Sequence, residues 1–293
     1  MEGREAVLAH MQLLDAPVEA TVLAAAAPNP VPLTPGQTLL QRIRERGIIR
    51  VGFNFDKLPF AYLNHQGDLV GYDINMAHYL AHDLAVQIEF VPFRRATLVE
   101  QLRQDHFDVV MSGLVGTLER SVAMEHTAPY MDVTLALVVP DYRVRDFDSV
   151  EAARQLPGLT IGFADLSQGF VDRLQQTLPN AIFVELATNG EFFEDKHRYL
   201  DVLLISAESG SAFTLLYPDF EVVAFTEAKV SLPLFYGIGA HDKRMRDFLE
   251  HWVYLRRKDG TMQANYEHWI LGRSRNHGRP RWSVIRDVLG WIN

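Results

Sequence analysis

Short apolar runs alternate with amphipathic segments along the first half of the chain. The run IIRVGF at 48–53 predicts a strand, and apolar residues recur at helical spacing over 74–84. Further strands are predicted at 87–93 and 108–113, with a helix at 96–107 between them. Because strands that alternate with helices pair in parallel through right-handed crossovers, this half of the chain predicts an α/β lobe.

The second half repeats this scheme, with two long apolar strands at 134–141 and 231–242. The chain is predicted to cross between two lobes near 134–141 and again near 228–236. The predicted fold class is therefore α/β and two-lobed, with two hinge crossings and a ligand cleft between the lobes. We expect an N-terminal arm (1–36, with a short amphipathic helix over about 4–14), lobe one (37–138 and 234–272), lobe two (139–233) and a basic, amphipathic C-terminal tail (273–293).

Composition narrows the classes of function. The 293 residues carry a net charge of -9, which argues against a nucleic-acid partner. Cysteine is absent, so disulfides, iron–sulfur clusters and thiolate metal sites are excluded. His78 and His82 share one face of a predicted helix without a third ligand, which favours a solvated helix face over a metal site. No nucleotide or phosphate fingerprint occurs, and we predict no metal and no cofactor.

Three stretches resemble one family in order and spacing. They are IIRVGFNFDKLPFAYLNHQGDLVGYDINMAHYLAHDL at 48–84, FDVVMSGLVGTLERSVAMEHTAPYM at 107–131 and DGTMQANYEHWILG at 259–272. They are similar to the amino-acid-type periplasmic solute-binding proteins of ABC importers. The resemblance implies a periplasmic-binding-protein-like type II fold. It also implies a periplasmic or extracytoplasmic protein, not an enzyme, that captures a small ligand for uptake through a membrane permease.

The resemblance assigns candidate contacts in lobe one. Arg120, just after Thr117, stands where the family's arginine forks onto a ligand carboxylate, a geometry that suits a guanidinium. Phe60 stands where an aromatic ring packs on the ligand, with an ordinary core phenylalanine as the alternative. The backbone N–H groups of Ser112 and Gly113 end a strand and are expected to face an anion. The remaining predicted contacts of lobe one are Asn54, Leu114 and Thr117.

Lobe two supplies four further candidates. Ser167 matches a hydroxyl that caps a helix and reaches the ligand, and Gln168 follows it; a plain N-cap is the alternative for Ser167. Ser206 stands where the family's α-amino-acid binders usually place an aspartate that holds the ligand's ammonium. Glu208 either substitutes for that aspartate or lies in the first turn of the next helix, where a carboxylate suits the helix dipole.

The predicted cleft departs from the family pattern in its charge. Lys57 aligns with an aromatic contact, Arg94 or Arg95 aligns with an apolar one, and Val115 replaces a hydroxyl. Because desolvating unpaired cations is costly, Lys57, Arg95 and Arg120 together predict a ligand with more than one anionic group. An acidic amino acid, a dicarboxylate or an oxo-acid fits this description. The alternative is that Lys57 and the Arg94–Arg95 pair point to solvent.

Two other functions stay open on the same scaffold. One is an enzyme similar to cyclohexadienyl or arogenate dehydratases, in which cleft carboxylates act as general acid on a dianionic, prephenate-like substrate. The nearby carboxylate of Glu208 keeps this alternative open. The other is a sensor input domain of a receptor, which shares the cleft and differs in what the chain is attached to.

The two ends of the chain bear on its attachment. The start lacks the charge pattern of a secretory signal, and no apolar run reaches the ~18 residues of a membrane span. The tail places arginines beside Trp282 and Trp291, which suits a membrane surface or a neighbouring domain; a terminal helix packed on its own lobe is the alternative. The tail and SAESGSAFTLLYP are similar to solute-binding domains fused to dicarboxylate-symporter-like permeases. This predicts a membrane-tethered domain of a longer protein.

Overall fold

The computed structural model describes residues 8, 10–225 and 230–272. These residues divide into two compact units, which are each described by themselves below. The first unit contains residues 10–131 and 233–272, and the second contains residues 8, 132–225 and 230–232.

Strands and helices alternate along both units. The strands are β1 (Ala20–Val22), β2 (Ile48–Phe53), β3 (Tyr62–Leu63), β4 (Leu69–Val70), β5 (Gln87–Pro92), β6 (Val109–Val115), β7 (Glu125–His126), β8 (Met131–Pro140), β9 (Thr160–Phe163), β10 (Ile182–Glu185), β11 (Val202–Ser206), β12 (Phe220–Val223) and β13 (Ser231–Ile238). The α-helices are α1 (Leu39–Arg46), α2 (Tyr72–Leu84), α3 (Leu98–Arg103), α4 (Leu118–Ala123), α5 (Val150–Gln155), α6 (Gln168–Thr177), α7 (Ala207–Leu216), α8 (Lys243–Lys258) and α9 (Thr261–Trp269).

The first unit is built on a mixed sheet with the strand order β1–β5–β2–β6–β13. β5 pairs in parallel with both β1 and β2, and β2 pairs in parallel with β6. β13 runs antiparallel to β6 and to β7. Because parallel strands end at one edge of a sheet, the residues that follow Phe53, Pro92 and Val115 lie at that edge. The predicted contacts of lobe one are concentrated in these turns.

Local sequence signals explain the bounds of α1. Its N-cap Thr38 accepts a hydrogen bond from the N–H of Gln41, and the Gln41 side chain accepts one from the N–H of Thr38. This reciprocal capping box satisfies two backbone donors at the start of the helix. Gly47 ends the helix with a φ of 72°, a conformation that glycine adopts without strain. The apolar side of α1, Leu39 and Ile43, is fully buried.

The second unit has its own sheet. β8 pairs antiparallel with β11 and β12, and β9 lies in parallel between β11 and β10. A buried apolar cluster that includes Leu137, Phe147 and Ile161 packs against these strands. β8 pairs with β11 from Leu135 onward. The chain enters this unit at Asp132, one residue after the start of β8.

The N-terminal arm is part of the first unit's sheet, because β1 pairs with β5. Nη2 of Arg50 donates to the carbonyl of Ala27 at 2.6 Å, and Nη1 of Arg42 donates to the carbonyl of Val31 at 3.1 Å. The arm therefore supplies acceptors to two buried guanidinium groups. The sequence predicts an N-terminal arm over residues 1–36, but composition does not reveal that β1 and these backbone acceptors join its described part to the first unit.

Some predictions fall partly or wholly outside the described residues. The C-terminal tail (273–293) lies outside them, as do residues 4–7 and 9 of the helix predicted over 4–14; residues 11–14 are not helical. Every helix that the structure describes is too short or too polar to span a bilayer.

Candidate functional site

The turn after β2 contacts strand β6 and the turn after β5 in the first unit. The N–H of Asn54 donates to Oγ of Ser112 at 2.9 Å, and this hydroxyl donates to the carbonyl of Asn54 at 3.2 Å. Nδ2 of Asn54 also donates to the carbonyl of Phe93 at 3.3 Å. Ser112 is a buried residue of β6, and its hydroxyl joins this strand to the turn after β2. Asn54 and Ser112 thus organise the edge of the sheet at which the other candidates lie.

Phe60 and Gly113 pack directly against each other. Gly113 has a φ of 57°, and a Cβ at this position would lie 2.9 Å from the Phe60 ring. Both the conformation and the space therefore require glycine. Phe60 is only 2% exposed, and its ring lies edge-on to Tyr72 with centroids 6.2 Å apart. Phe60 has the packing of a core residue, and its contact with a ligand stays a prediction.

The N–H of Gly113 is already occupied by an internal carboxylate. It donates to Oδ2 of Asp73, a fully buried residue in the first turn of α2. This corrects the expectation that the Gly113 N–H faces an anion from solution. The physical reason is that a buried carboxylate needs donors, and this backbone group is one of them.

Leu114 lies in the apolar core of the first unit. Its side chain is 2% exposed and belongs to a cluster with Phe107, Val110 and Phe235. Leu114 has the packing of a core residue, and its contact with a ligand stays a prediction.

Arg120 lies in the short helix α4, which follows β6. Thr117 caps this helix by accepting a hydrogen bond from the N–H of Arg120 at 3.2 Å. Nη1 of Arg120 donates to the carbonyl of Val115 at 2.7 Å, so the half-buried guanidinium is held against the end of β6. A planar guanidinium in a fixed orientation suits a carboxylate, because its parallel N–H donors match the two oxygens.

The structure pairs one of the three predicted cations, Arg95, with a carboxylate. Nη2 of Arg95 forms an ion pair with Oδ2 of Asp56 at 2.9 Å and also donates to the carbonyl of Asp56 at 3.2 Å. The hypothesis that Arg95 is an unpaired cation is therefore wrong, because Asp56 neutralises it. Burial raises the pKa of Asp73, and the charge of the half-buried Lys57 partly opposes this rise. Lys57 thus lies within electrostatic range of the buried carboxylate.

Sequence reasoning missed the cluster around Asp73. The hydroxyl groups of Tyr130 and Tyr236 donate to this carboxylate at 2.7 and 3.3 Å, and their rings stack with centroids 4.2 Å apart. Burial raises the pKa of Asp73 to about 7, although its hydrogen bonds and the charge of Lys57 act in the opposite direction. The sequence shows only an aspartate in the first turn of a helix, where a carboxylate interacts favourably with the helix dipole. This position does not predict contacts with tyrosines that are distant in sequence.

The four candidates of the second unit lie at two helix starts. Ser167 caps α6, and the exposed Gln168 donates to Asp172 at 2.9 Å. Ser206 caps α7 by accepting a hydrogen bond from the N–H of Ser209 at 3.2 Å. The carboxylate of Glu208 accepts from the N–H of Thr134 at 3.2 and 3.4 Å; the residue is 5% exposed. The hydroxyls of Ser167 and Ser206 thus have structural roles, and Glu208 is buried in the first turn of α7.

Metal-binding side chains do not cluster in the part of the chain that the structure describes, where no group of three His, Asp or Glu could hold an ion. His78 is buried, with its ring edge-on to Phe90. The expectation of a solvated helix face is therefore wrong for His78, because β5 covers it, whereas the side chain of His82 is exposed.

A cavity of ≈ 710 Å³ lies elsewhere in the first unit. It is lined by residues 12–18, Ala20 and Val22 of the arm and by Asn64, residues 67–70, His78 and Phe90. None of the predicted ligand contacts lines this cavity.

Comparison with known proteins identifies the family. The family of bacterial extracellular solute-binding proteins, family 3, matches residues 49–272. The chain belongs to this family. The predicted resemblance to amino-acid-type periplasmic solute-binding proteins is confirmed, and so is the predicted fold class, because the structural neighbours are two-lobed periplasmic amino-acid-binding proteins.

Three relatives illustrate what the chain is similar to. A cyclohexadienyl dehydratase of Pseudomonas aeruginosa is 25% identical over 80% of this chain and 87% of its own length. An L-cystine-binding protein of Escherichia coli is 23% identical over 79% of this chain and 86% of its own length. The crystal structure of an ancestral amino-acid-binding protein, a precursor of cyclohexadienyl dehydratase, superposes with a TM-score of 0.69. It is 28% identical and covers 78% of this chain and 98% of its own. The family thus includes binding proteins and an enzyme.

Proposed function

We propose that this member of the family is a binding protein that captures a small anionic ligand: a dicarboxylate, an oxo-acid or an acidic amino acid. The observation that carries the proposal is the setting of Arg120. Its guanidinium is fixed by the Val115 carbonyl at the edge of the sheet where small molecules bind in α/β folds. In this proposal Arg120 binds a ligand carboxylate bidentately, and Thr117 keeps the helix start in place.

Two features support an anion over a neutral amino acid. The expected ammonium-binding aspartate is replaced by Ser206, whose hydroxyl caps α7, and Glu208 is buried with its oxygens accepting from Thr134. Lys57 brings a second positive charge to the turn that contains Phe60, whose ring packs against Gly113, whereas Arg95 is paired with Asp56. The anionic preference therefore rests on Arg120 and Lys57.

Isothermal titration calorimetry tests both parts of the proposal. Succinate, 2-oxoglutarate and glutamate are each titrated into the protein and compared with glutamine; we expect the anionic ligands to bind more tightly. Arg120→Ala should weaken binding at least about tenfold, because a charge-assisted contact contributes ~1.5–3 kcal/mol. Arg103→Ala, an exposed arginine of the same unit, is the matched control. Tightest binding of glutamine, or unchanged affinity in Arg120→Ala, contradicts the proposal.

An enzyme is the second candidate, since one relative is a cyclohexadienyl dehydratase. A general acid must reach its substrate, and Glu208 is 5% exposed with both oxygens at the Thr134 N–H. We therefore expect no aromatic product when the protein is incubated with prephenate or arogenate and absorbance is followed. Product formation that Glu208→Gln abolishes would establish the enzyme instead.

The proposed setting of the protein follows the family. Family members bind small amino-acid ligands outside the cytoplasm and work with ABC permeases. We propose the same kind of permease partner for this chain. The ligand cleft between the lobes, the lobe boundaries, the tether to the membrane and the sensor alternative stay predictions.

A further inference from the structure

One carboxylate of the first unit joins three segments that are distant in sequence. Asp73, in the first turn of α2, is fully buried. Its Oδ2 accepts from the N–H of Gly113 and from the hydroxyl of Tyr130, and its Oδ1 accepts from the hydroxyl of Tyr236. β6, the segment before β8, and β13 are therefore tied to one side chain of α2.

A short path connects this carboxylate to Arg120. Gly113 lies two residues before Val115 in β6, and the carbonyl of Val115 accepts the hydrogen bond from Nη1 of Arg120. The N–H of Gly116, the next residue, donates to the carbonyl of Pro233 at 2.7 Å. The backbone between Gly113 and Arg120 is thus held at two residues. Asp73 holds Gly113, and the carbonyl of Pro233 holds Gly116.

We propose that Asp73 is a positioning residue for ligand binding, which holds Gly113 and thereby the turn that orients Arg120. The proposal rests on the function proposed above for Arg120. Asp73 acts through β6 and needs no contact of its own with the ligand.

Several titratable or charged groups face Asp73. Lys57 approaches from the turn after β2, Tyr72 is its neighbour on α2, and Tyr130 and Tyr236 come from the segments that flank the sheet. Nη2 of Arg257 donates to the carbonyl of Tyr130 at 3.1 Å. Burial outweighs the donors and raises the pKa of Asp73 to about 7, so the carboxylate changes its charge near neutral pH.

The charge of Asp73 sets the strength of the hydrogen bond that it accepts from the N–H of Gly113. Hydrogen bonds to an ionised carboxylate are roughly twice as strong as those to a neutral acid. Deprotonation of Asp73 should therefore tighten the turn, and ligand affinity should rise as the pH increases through 7. Direct repulsion between Asp73 and an anionic ligand predicts the opposite sign, so the direction of the pH profile separates the two effects.

The first experiment needs no ligand. Heteronuclear NMR follows the Gly113 amide shift with pH, and hydrogen exchange reports on the amides of 113–120. We expect a Gly113 midpoint near pH 7 that disappears in Asp73→Asn, with exchange in that variant accelerated about tenfold. Asp68→Asn, the same change at an exposed position, should behave like the wild type. A Gly113 shift and exchange rates that Asp73→Asn leaves unchanged overturn the proposal.

The second experiment measures the Kd of 2-oxoglutarate at pH 6 and pH 8. In the wild type we expect affinity to rise about fivefold between these values, and in Asp73→Asn to be weaker and flat. Should Asp73→Asn fail to fold, Tyr236→Phe removes one donor and should shift the midpoint of the affinity profile to higher pH. A wild-type profile that is flat or reversed overturns the positioning role. If 2-oxoglutarate does not bind, succinate and glutamate are titrated in the same way. Absence of binding by all three, with Gly113 still titrating through Asp73, refutes the anionic-ligand function but supports the hold of Asp73 on Gly113.

Discussion

Gly71 is a residue at which one added methyl group should strongly lower the free energy of unfolding. It lies between β4 and α2 with a φ of 136°, and a Cβ would lie 2.3 Å from the carbonyl oxygen of Phe60. We expect Gly71→Ala to lower the free energy of unfolding by about 3 kcal/mol or more, from backbone strain and overlap together. Gly67→Ala is the control: its φ is 82° but no atom lies within 4 Å. Equal losses in urea denaturation contradict the prediction.

Arg42 is a buried cation, and its removal should lower the free energy of unfolding because it leaves a buried carboxylate unpaired. It is 1% exposed, and its guanidinium pairs with Asp105 and, at 2.6 Å, with Asp108. Because Asp108 is also buried, Arg42→Ala should lower the free energy of unfolding by about 3–5 kcal/mol. Arg44→Ala changes an exposed arginine of the same helix and should cost less than about 0.5 kcal/mol. Chemical denaturation of both variants decides the comparison.

The candidate site was predictable only where residues carry a local motif. Arg120 and Thr117 follow β6 at the spacing of the family segment, and the structure places them together at the end of that strand. The Arg95–Asp56 ion pair and the cluster around Asp73 join residues from different segments. No periodicity or spacing in the sequence indicates such pairs, because they depend on the register of the folded sheet.

At the scale of elements, β1 should stabilise the sheet of the first unit. The N–H of Leu23 donates to the carbonyl of Phe90 at 2.9 Å, and the arm carbonyls satisfy Arg42 and Arg50. We expect a chain that starts at Gln37 to lose about 2 kcal/mol or more of unfolding free energy, because two buried guanidinium groups lose acceptors. A chain that starts at Val18 keeps β1 and these acceptors. Indistinguishable melting temperatures for the two truncated chains contradict this role of β1.

Long elements were predictable from periodicity, whereas short ones were not. The structure has β2 at the predicted residues, 48–53, and α6 within one residue of each predicted end. β1 was missed because its three residues are exposed and stand in an Ala- and Pro-rich stretch, so no apolar alternation marks them. It pairs through backbone groups with a strand far along the chain, and this interaction has no local signature.

At the scale of the whole molecule, two buried groups give stability opposite dependences on pH. Burial raises the pKa of Asp73 to about 7, so its contribution is present near pH 4 and is lost as the pH rises to 7. Burial lowers the pKa of His78 to about 4, so its contribution is present above pH 6.5 and is lost as the pH falls to 4. The two effects offset each other between pH 4 and 6.5.

Single variants should separate these effects. Relative to the wild type, Asp73→Asn should gain unfolding free energy as the pH rises from 4 to 7, by up to ~1.4 kcal/mol per pH unit. His78→Phe should gain relative to the wild type as the pH falls from 6.5 to 4. Asp68→Asn and His82→Phe make the same changes at exposed positions and should track the wild type. Urea denaturation across this range tests the signs, and parallel profiles for all variants contradict the assignment.

The stacked tyrosines beside Asp73 have an optical consequence. The rings of Tyr72 and Tyr130 are 6.1 Å apart and nearly parallel, and Tyr130 stacks in turn on Tyr236. The hydroxyls of Tyr130 and Tyr236 donate to the carboxylate, so ionisation of Asp73 changes the electric field on two coupled chromophores. Their near-ultraviolet circular dichroism should therefore report the charge of Asp73 without any label, and Tyr130→Phe identifies the bands that belong to them.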